Sequence, residues 1–189
     1  MHVSLDQVAL ELPATGTLAE LMDGVAPQIG IDRLVVHVAV DGVAVDTSEP
    51  ALLAQRRLRG TEAVDIRTEE AASFVASRRR ELPVHLGRIA SVLDVAARGF
   101  TAGQEADAYR CVALASEELK LVLDLDHSLA RLEASPARCD ALRETVRRVG
   151  PGLEAALRGS RTREVAALLV GEMLPALRDA IRDQEAQTR

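Results

Sequence analysis

LVVHVAVDGVAV, residues 34–45, decides the fold of the first third of this 189-residue chain. Two β-rich runs flank Asp41-Gly42. An Asp-Gly pair between such runs signals a tight hairpin, because a type I′ turn needs positive φ at both central positions. Val36, Val38 and Val40 are expected to face the core, with Val35, His37 and Ala39 on the other side. His37 therefore reads as an exposed or hydrogen-bonded histidine, not a functional one.

Toward the N-terminus, Val3 and Leu5, then Val8, Leu10 and Leu12, alternate with polar neighbours, which predicts two half-buried strands joined at Asp6-Gln7. Pro13, Thr15 and Gly16 end the second. Thr17, with Glu20 three residues on, forms a capping box for a helix that buries Leu18, Leu21, Met22, Val25 and Ile29 and closes at Gly30. Beyond the hairpin, Ser48 to Leu53 reads as a short helical turn with Pro50 near its first position, and Val64-Asp65-Ile66 as a last short strand.

This order of elements, covering residues 1–67, resembles the ubiquitin-like β-grasp domains, which include ubiquitin and the small sulfur carriers. The resemblance implies a five-stranded sheet cradling one helix. Carriers of that family use a free, flexible Gly-Gly end. Here the last strand runs on into a helix, the glycine near it is Gly60, and the sequence ends Ala-Gln-Thr-Arg. The head is accordingly expected to be a binding scaffold and not a conjugated or thiolated carrier.

Residues 68–189 read as helix throughout. Thr68 is expected to cap a helix starting at Glu69-Glu70 and ending in Arg78-Arg79-Arg80, with acids and arginines complementing the helix dipole. Pro83 should kink or restart it. Leu86, Ile89, Leu93, Ala96 and Phe100 form the next apolar stripe, which Gly99 closes. Thr101, with Gln104, should cap a long helix over 104–133, about 45 Å long, whose stripe runs from Ala108 and Cys111 through Ala115, Leu119, Val122, Leu125 and Leu129 to Leu132. Ser135-Pro136 should start a third helix lined by Cys139, Leu142, Val146, Val149 and Leu153 and bent at Gly150-Pro151-Gly152. A turn at Gly159-Ser160 precedes a last helix carrying Val165, Leu168, Leu169, Met173, Leu177 and Ile181. Residues 96–125 echo residues 155–181: a helix ending at Arg-Gly, a polar loop, then a helix holding Glu118 or Glu172. That pattern predicts two αα-hairpins in an antiparallel bundle, with an internal duplication as one reading of it.

The expected architecture is α+β: a β-grasp head, 1–67, and a bundle of four to five helices, 68–189. Residues 153–182 are also similar to the helical chaperones of flagellar and type III secretion systems, which implies an apolar groove for an exported subunit.

Composition narrows the function. The head, to Thr68, holds ten acids against five arginines, a net −5, and the remainder is near balance at −1. Aromatics are 2% of the chain. An acidic surface with few stacking groups argues against nucleic acid as a partner. Cys111 and Cys139 are too few for a zinc site and are expected as buried free thiols. The start lacks a signal-peptide pattern and no run approaches the ~20 apolar residues of a membrane span, so a soluble cytoplasmic protein without membrane insertion is expected.

No cofactor, metal or catalytic residue is nominated. Di-iron bundles need Glu-x-x-His on two helices; Glu118 and Glu172 are present, but the nearest motif is a single Asp124-x-x-His127. His85 has no acid or nucleophile near it in sequence, and Pro175 reads as a packing kink that leaves the carbonyl of Gly171 without its helical donor. The expected function is that of a non-enzymatic adaptor or assembly factor: the head binds a protein partner, and the body docks or forms a homo-oligomer. An export chaperone is the alternative, and an enzyme the third.

Overall fold

A computed structural model of the chain describes residues 1–12, 16–47 and 49–188, with Thr188 described by its backbone alone. The roles read for Pro13, Thr15 and Ser48 lie outside those residues. The fold is α+β, and the chain divides into two compact units, Met1–Phe74 and Val75–Arg189.

The first unit is a mixed five-stranded sheet with short helices. Its elements are β1 (His2–Leu5), β2 (Val8–Leu10), α1 (Leu18–Val25), β3 (Arg33–Val40), β4 (Val43–Ala44), α2 (Pro50–Gln55) and β5 (Ala63–Glu70). The strand order is β2-β1-β5-β3-β4; β1 and β5 are parallel and the other pairings antiparallel. Both hairpins are closed by two residues at positive φ: Asp41 (51°) with Gly42 (77°), as expected, and Asp6 (50°) with Gln7 (71°). Thr17 and Glu20 form the expected reciprocal capping box. Leu18, Leu21 and Val25 of α1 pack fully buried with Val3, Val38, Val64 and Ile66 of the sheet.

Three expectations for this unit need correction. Val36 is 41% exposed, while Val35 packs against the core. The β3–β5 register slips between Val35 and His37, and that one-residue bulge turns Val35 inward in place of Val36, while Val38 and Val40 face the core as expected. α1 stops at Val25 and a 3₁₀ turn, Ala26–Gln28, follows instead of helix as far as Gly30, since Pro27 has no N–H to continue the ladder. Thr68 is not a helix cap. Its N–H and hydroxyl both donate to the Asp6 carboxylate (2.7 and 2.6 Å), and it accepts from Arg33 at Oγ1 (2.7 Å) and at its carbonyl (3.1 Å). Held this way, β5 extends to Glu70, paired with Arg33.

The second unit comprises four long packed helices: α3 (Ala71–Thr101, which begins in the first unit), α4 (Glu105–Leu132), α5 (Asp140–Arg158), and a fourth made of α6 (Thr162–Leu168), a π-helical turn (Leu169–Met173) and α7 (Leu174–Thr188). Contacts such as His85–Glu118, Arg143–Leu123 and Arg148–Glu172 place sequential helices antiparallel. α3 runs unbroken through Pro83. Leu82 and Leu86 on either side of the proline are both fully buried, and that packing outweighs one lost backbone bond.

Each of the three inter-helix connections closes in the same way. The residue after the helix cap takes positive φ, and the next N–H bonds back five residues. Gly103 precedes Gln104 N–H to Gly99 O, Ala134 precedes Ser135 N–H to Ala130 O, and Ser160 precedes Arg161 N–H to Ala156 O. This geometry explains two further corrections. Thr101 ends α3, its hydroxyl bonding back to the Ala97 carbonyl, and Gln104 is the cap residue of α4. Ser135 and Pro136 belong to the connection, and α5 starts at Asp140. The echo is also inexact at its marker, because Gly99 lies inside α3 whereas Gly159 caps α5.

Candidate functional site

The interior seam of α3 follows an alternating four-three step: Val75, Arg79, Leu82, Leu86, Ile89, Leu93, Ala96 and Phe100 are all buried. Arg79 therefore belongs to the apolar face. The Arg78–Arg80 triplet lies within α3, not at a helix end as expected, and its members behave differently. Arg78 pairs with Glu81 at 2.7 Å, Arg80 bonds the Ala76 carbonyl, and Arg79 is 3% exposed. The step from Val75 through Arg79 to Leu82 was the signal that could have identified it.

Buried arginine needs carboxylates around it. Arg79 Nη1 donates to Asp126 Oδ1, and Nη2 and Nε donate to Glu133 Oε2 at 2.6 and 3.0 Å. Asp126, fully buried on α4, also accepts from the backbone N–H groups of Arg138 (3.2 Å) and Cys139 (2.9 Å). A residue of α4 thus supplies the acceptor that Ser135 was expected to provide, and fixes where α5 begins. Cys139 is buried as expected, and Gln184 of α7 donates to its sulfur at 3.3 Å. Burial, with the Asp126 charge second, raises the Cys139 thiol to about 11, which makes it a poor nucleophile. Cys111 is only half-buried, and Leu132, expected on the buried stripe, is 49% exposed.

With α5 anchored, a groove of about 350 Å³ opens along α4 and α5. Leu119, Leu123 and Met173 form its buried floor; Val146, Leu153 and Leu157 form half-buried walls. The rim carries Ser116, Lys120 and Asp124 from α4 and Arg143 and Glu154 from α5. Arg143 to Leu157 spans about 20 Å of helix, so the groove is elongated. Met173 is delivered by the π-helical turn, in which Leu174 N–H bonds Leu169 O across five residues just before Pro175. The extra residue gives Met173 and Leu174 buried positions side by side.

The residues weighed for chemistry lie apart. His85 Nδ1 meets Glu118 Oε1 at 3.2 Å, and Arg88 approaches the same carboxylate at 3.7 Å, so His85 does have an acidic neighbour that sequence did not reveal. No hydroxyl or thiol among the described residues hydrogen-bonds to it. Glu172 pairs with Arg148 at 2.9 Å; that contact lowers the Glu172 carboxyl and raises the guanidinium. Asp124 lines the groove rim and His127 is exposed. Among the described residues no group of three or more His, Cys, Asp or Glu could hold a metal ion, and no helix is long and apolar enough to cross a membrane. In comparisons with known proteins, no family model, curated protein or solved structure matched the chain. What the groove can do on its own chemistry is bury apolar surface along its length.

Proposed function

We propose that this protein is a non-enzymatic protein-binding adaptor whose helical unit takes an amphipathic helix of a partner protein into the α4/α5 groove. The observation that carries this reading is the groove itself: apolar floor and walls, an elongated shape about four turns long, and a rim bearing both signs of charge. Such a rim complements the mixed polar flank of an amphipathic helix, and helix-in-groove docking needs only these elements. For the first unit we propose a ubiquitin-like β-grasp domain acting as a second binding module. The strand order with its central parallel β1/β5 pair supports that reading, and fold analogy carries it no further.

An export chaperone rests on the same groove and differs in its client, a subunit insoluble when alone. The test uses the full chain as bait in lysate of the native cell, with Val146→Glu and Leu153→Glu as half-buried wall variants. Hydrogen exchange on the captured complex should show protection concentrated in residues 116–124 and 143–157, and both variants should lose the partner while keeping their circular dichroism. Protection confined to other segments, or capture unaffected by either variant, would overturn the reading.

A further inference from the structure

The charges of the first unit are not spread evenly. Three of its five arginines to Thr68, Arg56, Arg57 and Arg59, fall within four residues, in a head otherwise dominated by acids. The other two are occupied: Arg33 by Asp6 and Thr68, and Arg67 by Asp65. Among the described residues no hydrogen bond or ion pair engages the side chain of Arg56, Arg57 or Arg59. Asp46 shares a shallow surface depression with Arg56, and two other acids near the segment are engaged by backbone. Glu62 accepts from the backbone N–H groups of Arg59 (2.6 Å) and Thr61 (3.1 Å), and Glu20 accepts from Gly16 and Thr17.

The segment is also held in place. Leu18 N–H bonds Arg56 O at 2.9 Å, Leu58 N–H bonds Gly16 O at 3.1 Å, and Thr17 and Arg57 form an antiparallel bridge. Leu58 points into the core at 8% exposure, which turns Arg57 and Arg59 outward together. In extended chain, side chains two residues apart are about 7 Å apart on one face. That is the spacing between alternate side chains of an extended peptide.

We infer that the Arg57–Arg59 segment is a docking ridge for an extended acidic segment of a protein partner, with carboxylates at alternate positions paired to Arg57 and Arg59. Guanidinium groups on a fixed backbone bind carboxylates in bidentate geometry with little further ordering. The ridge is short and sits in a head of net −5, so a long polyphosphate backbone would meet repulsion beyond it. This surface is separate from the α4/α5 groove and stands or falls without it.

The test is fluorescence anisotropy with the full chain and labelled peptides. The alternating peptide Glu-Ser-Glu-Ser-Glu-Ser should bind, more weakly as NaCl rises, and bind tighter than Glu-Glu-Glu-Ser-Ser-Ser. The double variant Arg57→Gln/Arg59→Gln should weaken it about tenfold, while Arg178→Gln on α7 leaves it unchanged. Circular dichroism guards against loss of fold, and Arg57→Lys/Arg59→Lys, which keeps charge but not the fork, should fall between. Equal binding of the two peptides, no effect of the double Gln variant, or tighter binding of a single-stranded oligonucleotide of equal charge would overturn the inference.

Discussion

Arg79 and Asp126 show how much one buried pair organises. The guanidinium neutralises a carboxylate that in turn caps the start of α5, so deleting Arg79 leaves Asp126 unpaired in the interior, while deleting Asp126 leaves the buried guanidinium with Glu133 alone. Asp126→Ala removes the fully buried one of the arginine's two carboxylates and the cap at once. It should cost about 3–5 kcal/mol in urea unfolding, whereas Ser135→Ala, at the residue expected to cap α5, should be nearly silent. Equal losses would restore Ser135 to the capping role. Ala134 offers the opposite case, a residue at φ 50° where its β-carbon is strained. Ala134→Gly should raise stability by about 0.5–1 kcal/mol, read as an increase in the urea midpoint. These residues also mark the limits of sequence reading. Thr17 and Asp41-Gly42 were legible because the residues that define the motif, Glu20 for the capping box and the paired Val40 and Val43 for the turn, lie within three residues. Thr68 and Ser135 were misread because their hydrogen-bonding fates depend on Asp6 and Asp126, which only the fold brings to them.

At the scale of elements, β5 is the strand most dependent on ionised carboxylates. Thr68 of β5 and Arg33 lower Asp6, backbone N–H groups at the entry to the strand lower Glu62, and Ser4 with Arg67 lowers Asp65 within it. A depressed folded pKa means that ionisation favours the native state. These contributions are therefore complete above the ordinary values of 3.8 and 4.5 and are lost as pH falls through them toward the lower folded values. Hydrogen exchange of β5 amides should be flat from pH 7 to about 5 after correction for intrinsic rates, and protection should fall below pH 4. Protection that rises on acidification would contradict the assignment. The helices were legible wherever the apolar step stayed at three or four, as from Leu86 to Phe100. Their boundaries were not, because a Schellman closure consumes residues that local capping rules assign to the next helix. The groove was hidden for a similar reason: Leu119, Leu123 and Met173 read as ordinary stripe residues until the spacing of α4, α5 and the π-turn is known.

For the molecule as a whole, we propose that function lies in its surfaces, the α4/α5 groove first among them. The groove presents apolar side chains along its length, and Glu118 and Glu172 are engaged by Arg88 and Arg148 of neighbouring helices. The sequence contains three methionines: Met1, Met22 in the core of the first unit, and Met173 on the groove floor. Methyl-labelled methionine NMR during titration with the captured partner therefore reads the claim with one reporter per location. The Met173 methyl should shift and broaden at stoichiometric partner while Met22 stays in place. A titration that moves Met22 or Met1 and leaves Met173 unchanged would contradict the account.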